Sequence, residues 1–544
     1  MKNTDLLKRA EDSWLALSDF RDTRRRNINY IYGDQWGDLV MDDDGRMVTE
    51  RERIARKTGA VPLQNNHLIK IVHALTGLIA KNGTMPTCRM KTNQNYLGAS
   101  SPEGLTNGNI QAEDSRQPDV GLESGVQPVS DPLSQELTMV LQDNWELNSM
   151  KELLIGQMEE LMHGGLSVVC EEWGMNHGQI DSFTYSINPD YFFFESKMND
   201  PRMWDMGLIG EIRDYKIGEL MSKLQAAGFD HERLKRIYGI GCQRGLSMCA
   251  NQLTAVHEHL DFYMPPSDML CRTYHVWTYQ HKLLYRCVDR RNAECPVFKI
   301  TSDDLKAIKE ENKRRARLSG RKDDAIEYEP MYEPVWHFTL LAPDGTVLEE
   351  YDSPYEHGEH PYVMTAYHFV NGNIYPFMGT VVDQQRYINR LITLNDMYIN
   401  SSIKGLKMIP KRAIPRDMTL EDFARQAVEV GGWIVYEPDP TGAKPEVINQ
   451  GANNLGVAEM LNLQINSINE ITSVNESLQG IPPQANTGYA RYAMEMENSS
   501  TSVAAMTNKF LEFQLQVARK KMKVIQQFKA VSNIDDNDWK IVFE

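Results

Sequence analysis

The segment Pro376–Gly405 reads PFMGTVVDQQRYINRLITLNDMYINSSIKG. Val381, Ile388, Ile392 and Ile399 recur in it at helical spacing, and Tyr387, Leu391, Leu394 and Tyr398 widen that stripe. Asp383, Gln384, Arg386, Asn389 and Asn400 form the polar remainder, and Pro376 and Gly405 punctuate the two ends. An unbroken helix over 377–404 would be about 42 Å long at about 1.5 Å per residue. Amides and hydroxyls outnumber charges on its polar side. A helix of that kind suits a packed ring or bundle with one wet side better than a freely solvated surface.

Basic residues crowd both approaches to this helix. Lys313, Arg314, Arg315, Arg317, Arg321 and Lys322 lie within ten positions with no acid among them. Lys404, Lys407, Lys411, Arg412 and Arg416 follow the helix directly. The whole chain carries a formal charge of −17, so these are localised positive patches suited to phosphate or an acidic partner. The same net charge argues against nucleic acid held tightly over the whole surface. It leaves room for DNA that slides past without sticking.

The 544 residues are enough for about two to four domains, and 41% hydrophobic with 24% charged residues is a globular composition. No apolar run approaches the ~18 residues of a membrane span, and MKNTDLLKRAEDSW lacks the apolar core of a signal peptide. Seven cysteines, at 88, 170, 242, 249, 271, 287 and 295, form no CxxC pair, which fits reduced thiols in a cytoplasmic compartment.

Along the chain, residues 4–32 pattern as a helix ending in YIYGDQW (Tyr30–Trp36), and Asn65 or Asn66 is placed to cap a helix carrying Leu68, Ile71, Val72, Leu75 and Ile79. Gly, Pro, Ser and Asn supply 18 of the 42 residues in 91–132, so no period is visible and a surface insertion is expected there. A helix over 133–163 ends at Gly164-Gly165. LSVVCEEW and SFTYSINPDYFFFES read as strands, TYHVWTYQ and KLLYRCVDR as a strand pair, and VWHFTLLAPDGTVLEEYDS as a hairpin. Helices are expected over 455–478 and 489–529, and a strand at GGWIVYEP.

Catalytic patterns are missing: there is no Walker A loop, GxGxxG, GxSxG or HExxH. His257 and His259, His275 and His281, and His357 and His360 are weak metal-ligand candidates, and Asp42, Asp43 and Asp44 read as a solvated turn. No catalytic residue, cofactor or metal ligand is assigned.

Several of these stretches, in this order, resemble the portal proteins of tailed double-stranded DNA phages, most closely those of short-tailed phages. The opening helix closing on YIYGDQW is similar to the portal N-terminal segment, and PLQNNHLIKIVHALTGLIAKN to the helix that follows it. The Gly164-Gly165 turn with LSVVCEEW and INPDYFFFES resembles the wing; YPFMGTVVDQQRYINRLITLNDMYI resembles the second stem helix; INEITSVNESLQGIPPQANTGYARYAMEM resembles the segment after the stem.

The resemblance implies an α+β portal fold with wing strands, a two-helix stem, a small α/β clip and a short helical crown, assembled as a dodecameric ring. It implies a wing over 1–301 with its insertion at 91–132, stem helices at 302–320 and 377–405, a clip at 321–376, a wing return at 406–485 and a crown at 486–544. Its partners would be further copies of itself, the major capsid protein, the terminase large subunit, a tail adaptor or head completion protein, and the double-stranded genome in the channel. No membrane is involved. The chain would be assembled in the host cytoplasm and end at the virion's portal vertex. Lys404, Lys407, Lys411 and Arg412 become candidates for channel-side phosphate contact; Arg314, Arg315, Arg317, Ile388, Ile392 and Ile399 become candidates for stem or clip interfaces. Two competing readings are a phage metal-dependent nuclease or peptidase built on the carboxylates or His257 and His259, and a scaffolding or adaptor protein.

Overall fold

A computed structural model describes, but for short gaps, residues 3–90, 132–238, 260–408, 446–448, 456–474, 489–529 and 539–543. Expectations for 91–131, for 239–259 with His257 and His259, and for GGWIVYEP lie outside the described residues. The chain opens with α1 (Asn3–Ala16) and α2 (Ser18–Tyr32), the small hairpin β1 (Leu39–Met41) and β2 (Met47–Thr49), α3 (Glu50–Thr58), α4 (Leu68–Lys81) and β3 (Pro86–Met90). Next come α5 (Pro132–Leu147), α6 (Met150–His163), β4 (Leu166–Asn176), β5 (Gln179–Ser186), β6 (Phe192–Phe194), β7 (Leu208–Lys216), α7 (Ile217–Leu224) and α8 (His231–Ile237). After β8 (Leu270–Val288), β9 (Val297–Thr301) and α9 (Leu305–Ser319) follow β10 (Glu327–Leu341), β11 (Val347–Asp352), β12 (Tyr362–Ala366), β13 (Phe369–Val370) and β14 (Asn373–Ile374). The last elements are α10 (Val382–Lys404), β15 (Leu406–Met408), β16 (Glu446–Ile448), α11 (Val457–Thr472), α12 (Tyr489–Lys529) and β17 (Trp539–Phe543). The mixture is α+β.

Two helices expected to be continuous are broken, the first where its apolar face changes partner. The break at Leu17 lets Leu6, Leu7, Ala10 and Trp14 of α1 pack with Phe193, Leu208 and Tyr274, while Phe20 and Ile31 of α2 enter two other cores. The Arg21 guanidinium lies 3.7 Å from the Trp14 ring centre and donates to the Trp14 carbonyl at 2.7 Å, which secures the corner. Between α5 and α6 the chain turns at Ser149, whose φ is +47°. Asn148 holds that turn against β5, donating to the Ser182 carbonyl at 3.0 Å and accepting from the Thr184 N–H at 2.9 Å.

The expected strand pair after residue 270 is one strand. β8 runs unbroken through Gln280-His281-Lys282, which lack the glycine or asparagine of a two-residue turn. β10 pairs antiparallel along it from Glu327 opposite Val288 to Leu341 opposite Tyr274. The strands of the larger sheet lie in the order β11-β10-β8-β7-β6, with β9 also on β8. The β10–β11 hairpin forms as its sequence requires, with Gly345 at φ +82°. Gly210 on β7 is obligatory, since a Cβ there would overlap the His275 carbonyl oxygen.

The smaller sheet, β12-β4-β5, is central. Gly165, at φ +79°, turns α6 into β4, and a Cβ on it would meet Ile374 at 2.8 Å and the Tyr367 carbonyl at 2.9 Å. Residues 321–376 are therefore no separate body: β10 and β11 belong to the larger sheet and β12 pairs with β4. The C-terminal region departs from expectation in a similar way. Phe510, Phe513, Val517, Ala518 and Met522 of α12 are buried with α4, α5 and α6, and β17, which the sequence reading leaves unassigned, pairs with β3.

Lysines fasten α12 to the sheet. Lys521 and Glu171 form an ion pair at 2.9 Å with both side chains 0% exposed, and Ser182 and Thr184 also donate to Glu171. Lys529 reaches Asp181 at 2.6 Å. Removing one member of a buried pair strands the other charge in a dry site. Lys521→Met is expected to cost about 3–5 kcal/mol in urea unfolding, and Lys521→Met/Glu171→Leu to regain most of it. A single variant as stable as the parent would show that the pair is not dry.

Candidate functional site

Helix α10 carries Gln385, Asn389 and Thr393 four residues apart, so they form one line, and all three are buried. Extended chain at Leu63–His67 runs alongside. The N–H groups of Leu63, Asn65 and His67 donate to Thr393 Oγ1 at 3.1 Å, Asn389 Oδ1 at 3.0 Å and Gln385 Oε1 at 3.0 Å. The match is geometric: four helical residues rise about 6 Å, and two extended residues about 6.6 Å. Gln385 Nε2 returns a bond to the Asn65 carbonyl at 2.6 Å.

Gln35 of YIYGDQW completes the ladder. Its Oε1 accepts from Gln385 Nε2 at 3.1 Å and from Asn389 Nδ2 at 2.6 Å, while its Nε2 donates to the Tyr30 carbonyl. Its neighbours fix the turn that presents it. Tyr30 donates to Asp38 at 2.9 Å, Asp34 pairs with Arg51 at 2.7 Å, and Trp36, fully buried, donates its indole N–H to the Leu63 carbonyl at 3.0 Å. Asn66 is the cap of α4, accepting from the Leu68 N–H at 3.1 Å. Next to these residues on α10, Arg386 and Arg390 both pair with the buried Glu50, Arg386 at 2.8 Å.

The line of Gln385, Asn389 and Thr393 on the side expected to be wet is thus dry, because a backbone strand satisfies it, while Asp383 stays exposed. Sequence reasoning names Asn389 and Arg386 but passes over Gln385, Thr393, Gln35 and Glu50. The i, i+4, i+8 line of an amide, an amide and a hydroxyl is the signal that would have found the first two. The apolar stripe divides along its length. Ile388 is fully buried, Ile392 packs partly buried on the core, and Ile399 is 47% exposed next to an exposed Leu394.

The basic candidates are placed unevenly. Arg314 and Arg315 both bond Glu311, holding its carboxyl down to about 2, and Arg315 also pairs with Asp289 at the end of β8 at 2.8 Å. Arg315 therefore ties α9 to the larger sheet within the chain, while Arg317 is exposed. Lys404 ends α10 and Lys407 lies in β15, whereas Lys411 and Arg412 lie outside the described residues.

The weak metal candidates come apart. His275 shares a hydrogen bond with the Tyr215 hydroxyl at 3.2 Å, His281 meets the Tyr279 ring edge-on, and Asp42 and Asp43 pair with Arg56 and Lys57. Cys170, Glu172 and Glu211 do converge with their ligand atoms within 4.8 Å. Arg213 already pairs with both carboxylates there, and burial pushes the Cys170 thiol well up, so it stays protonated and donates to Glu172 at 3.3 Å. A cation would have to displace the guanidinium. No helix among the described residues is long and apolar enough to cross a membrane.

Residues 282–530 match the model of the family described as Phage P22-like portal protein. Over this span the chain is a phage portal protein. No curated protein matches it. The matched span runs from the outer half of β8 through α9 and α10 into α12, so it holds both stem-helix candidates of the portal chain. The Gln35 turn and the Leu63–His67 segment lie outside it, yet they fix the α10 of that span.

The ladder sets a cost on breaking it. Gln35→Ala leaves two buried amides of this portal chain short of a partner, and is expected to destabilise it by about 1–3 kcal/mol. Asp383→Ala, on the exposed side of the same turn, is expected to stay within about 0.5 kcal/mol. Equal unfolding midpoints for the two variants would refute the ladder.

Proposed function

We propose that the chain closes into a ring, of twelve copies, that forms the channel at the capsid's portal vertex. DNA enters through this ring during packaging, is retained behind it and leaves through it on ejection. The terminase docks on it first and the tail adaptor later, while the major capsid protein surrounds it. The role is mechanical rather than enzymatic, with no cofactor, and assembly takes place in the host cytoplasm. The observation that carries this reading is the portal-family match over the span that contains α9 and α10.

Surface chemistry supports it. Leu394 and Ile399 on α10, and Met460, Leu463 and Ile471 on the adjacent α11, are exposed large apolar side chains. Ring closure is the kind of association that would cover such surface on every copy at once. In this reading α9 and α10 are the stem, and 1–301 with 406–485 is the wing. The clip falls within 321–376, where the exposed outer part of β10 is its candidate, since β12 joins β4. The crown, first drawn at 486–544, narrows to the part of α12 ahead of the buried Val503. Lys404 ends the second stem helix and Lys407, Lys411 and Arg412 follow it, where one lysine per copy becomes a ring of charge.

Native mass and negative-stain imaging test the assembly. A ring near 12 × 62.3 kDa, about 750 kDa, with a central hole is expected. A chain that stays monomeric with scaffold present, or that cleaves DNA or peptide, would overturn it. Reversing Lys404, Lys407 and Lys411 to Glu is expected to leave the ring intact and impair DNA packaging and retention; normal packaging would remove these lysines from the channel.

A further inference from the structure

Helix α10 has two flanks. On one, Ile388 and Ile392 sit in the core that also takes Leu461, Ile465 and Ile468 of the adjacent α11. On the other, about half a turn round the helix, Arg386, Arg390, Leu394 and Met397 recur at helical spacing and meet α3. There Ile54, Leu394 and Met397 help line a groove of about 290 Å³.

The charges that border this groove are mostly basic: Arg53, Lys57 and Arg390 against Glu50. Glu50 is buried and already shared by Arg386 and Arg390. Lys57 holds Asp43 at 2.8 Å in an exposed pair that water screens. Glu50, Arg53, Ile54 and Lys57 follow one another at i, i+3, i+4 and i+7, so they share a face of α3, and the helical turn carries Glu52 to the opposite face.

The outer face of α11 has the complementary make-up. Met460, Leu463 and Ile471 fall on one stripe and are all exposed. The helix carries two charged residues, Glu459 and Glu470, and both are acidic and exposed. They stand eleven positions apart, three helical turns, and so lie along the same edge of the apolar stripe. Stripe and groove look away from α10 on opposite sides, so within one copy they cannot meet. Two different surfaces on opposite sides of one layer make a head-to-tail contact, the kind that repeats around a ring rather than closing a two-fold dimer.

We propose that the α3–α10 groove receives the α11 of a second copy of this chain. Met460 and Leu463 cover Leu394 and Met397, and the acidic edge of Glu459 and Glu470 faces Arg53 and Lys57. The inference rests on the ring reading above and adds which surfaces meet.

Charge reversal on each side, read by native mass spectrometry of the full chain at rising concentrations, tests it. Arg53→Glu makes groove and stripe both acidic, and Glu459→Arg/Glu470→Arg makes both basic. Each variant alone is expected to need about tenfold more protein to reach half-assembly. An equal mixture of the two is expected to assemble within about threefold of the parent, in alternating order, because every contact then joins opposite charges. Recovery in the mixture also excludes misfolding as the cause of the single defects. A parent ring that neither variant weakens, or a mixture no better than its components, would overturn the docking and leave the ring standing. A parent that forms no assembly would overturn the ring reading and the docking together.

Discussion

A helix whose buried side carries amides needs partners of matching pitch, and that requirement organises the centre of this molecule. Gln385, Asn389 and Thr393 are satisfied by alternate N–H groups of Leu63–His67, and Gln35 closes the remaining valences. An apolar strip in the same place would pack but would not set the register between helix and strand. Polar partners do, because sliding by one residue would leave several buried donors and acceptors unpaired. The N-terminal motif and the second stem-helix candidate, more than three hundred residues apart, are fixed by this one contact.

Charge performs a similar service on the other side of the core. Lys520, Lys521 and Lys529 bind the C-terminal part of α12 to carbonyls and carboxylates of the central sheet. Arg213 between Glu172 and Glu211 joins β7 to β4, and Arg315 joins α9 to the end of β8. These are interior connections.

Much of the fold was legible because periodicity and turn chemistry are local. The apolar stripe of α10, the cap at Asn66, the Gly165 turn and the Pro343-Asp344-Gly345 hairpin can all be read within a dozen residues. What could not be read depends on distant partners. The break at Leu17 answers to different cores, the turn at Ser149 is held by Asn148 against β5, β8 is continuous because β10 pairs along it, and β17 exists because β3 offers an edge. The polar side of α10 was legible in composition but not in role, since an amide line reads alike whether it faces water or a buried strand. Of the basic groups, the sequence shows clusters but cannot show that Arg315 already has Asp289 while Arg317 is exposed.

The result is an α10 in two parts: an inner half held in the core, and an outer half with Leu394 and Ile399 exposed in the single chain. If the outer half is reserved for neighbouring copies, assembly should protect it and leave the inner half as it was. Hydrogen exchange read by mass spectrometry on monomer and ring tests this most directly. The account predicts that peptides covering 61–68 exchange slowly in both forms, and that peptides covering 394–404 become protected only in the ring. Fast exchange over 61–68 in the folded monomer, or a 394–404 segment unchanged by assembly, would contradict it.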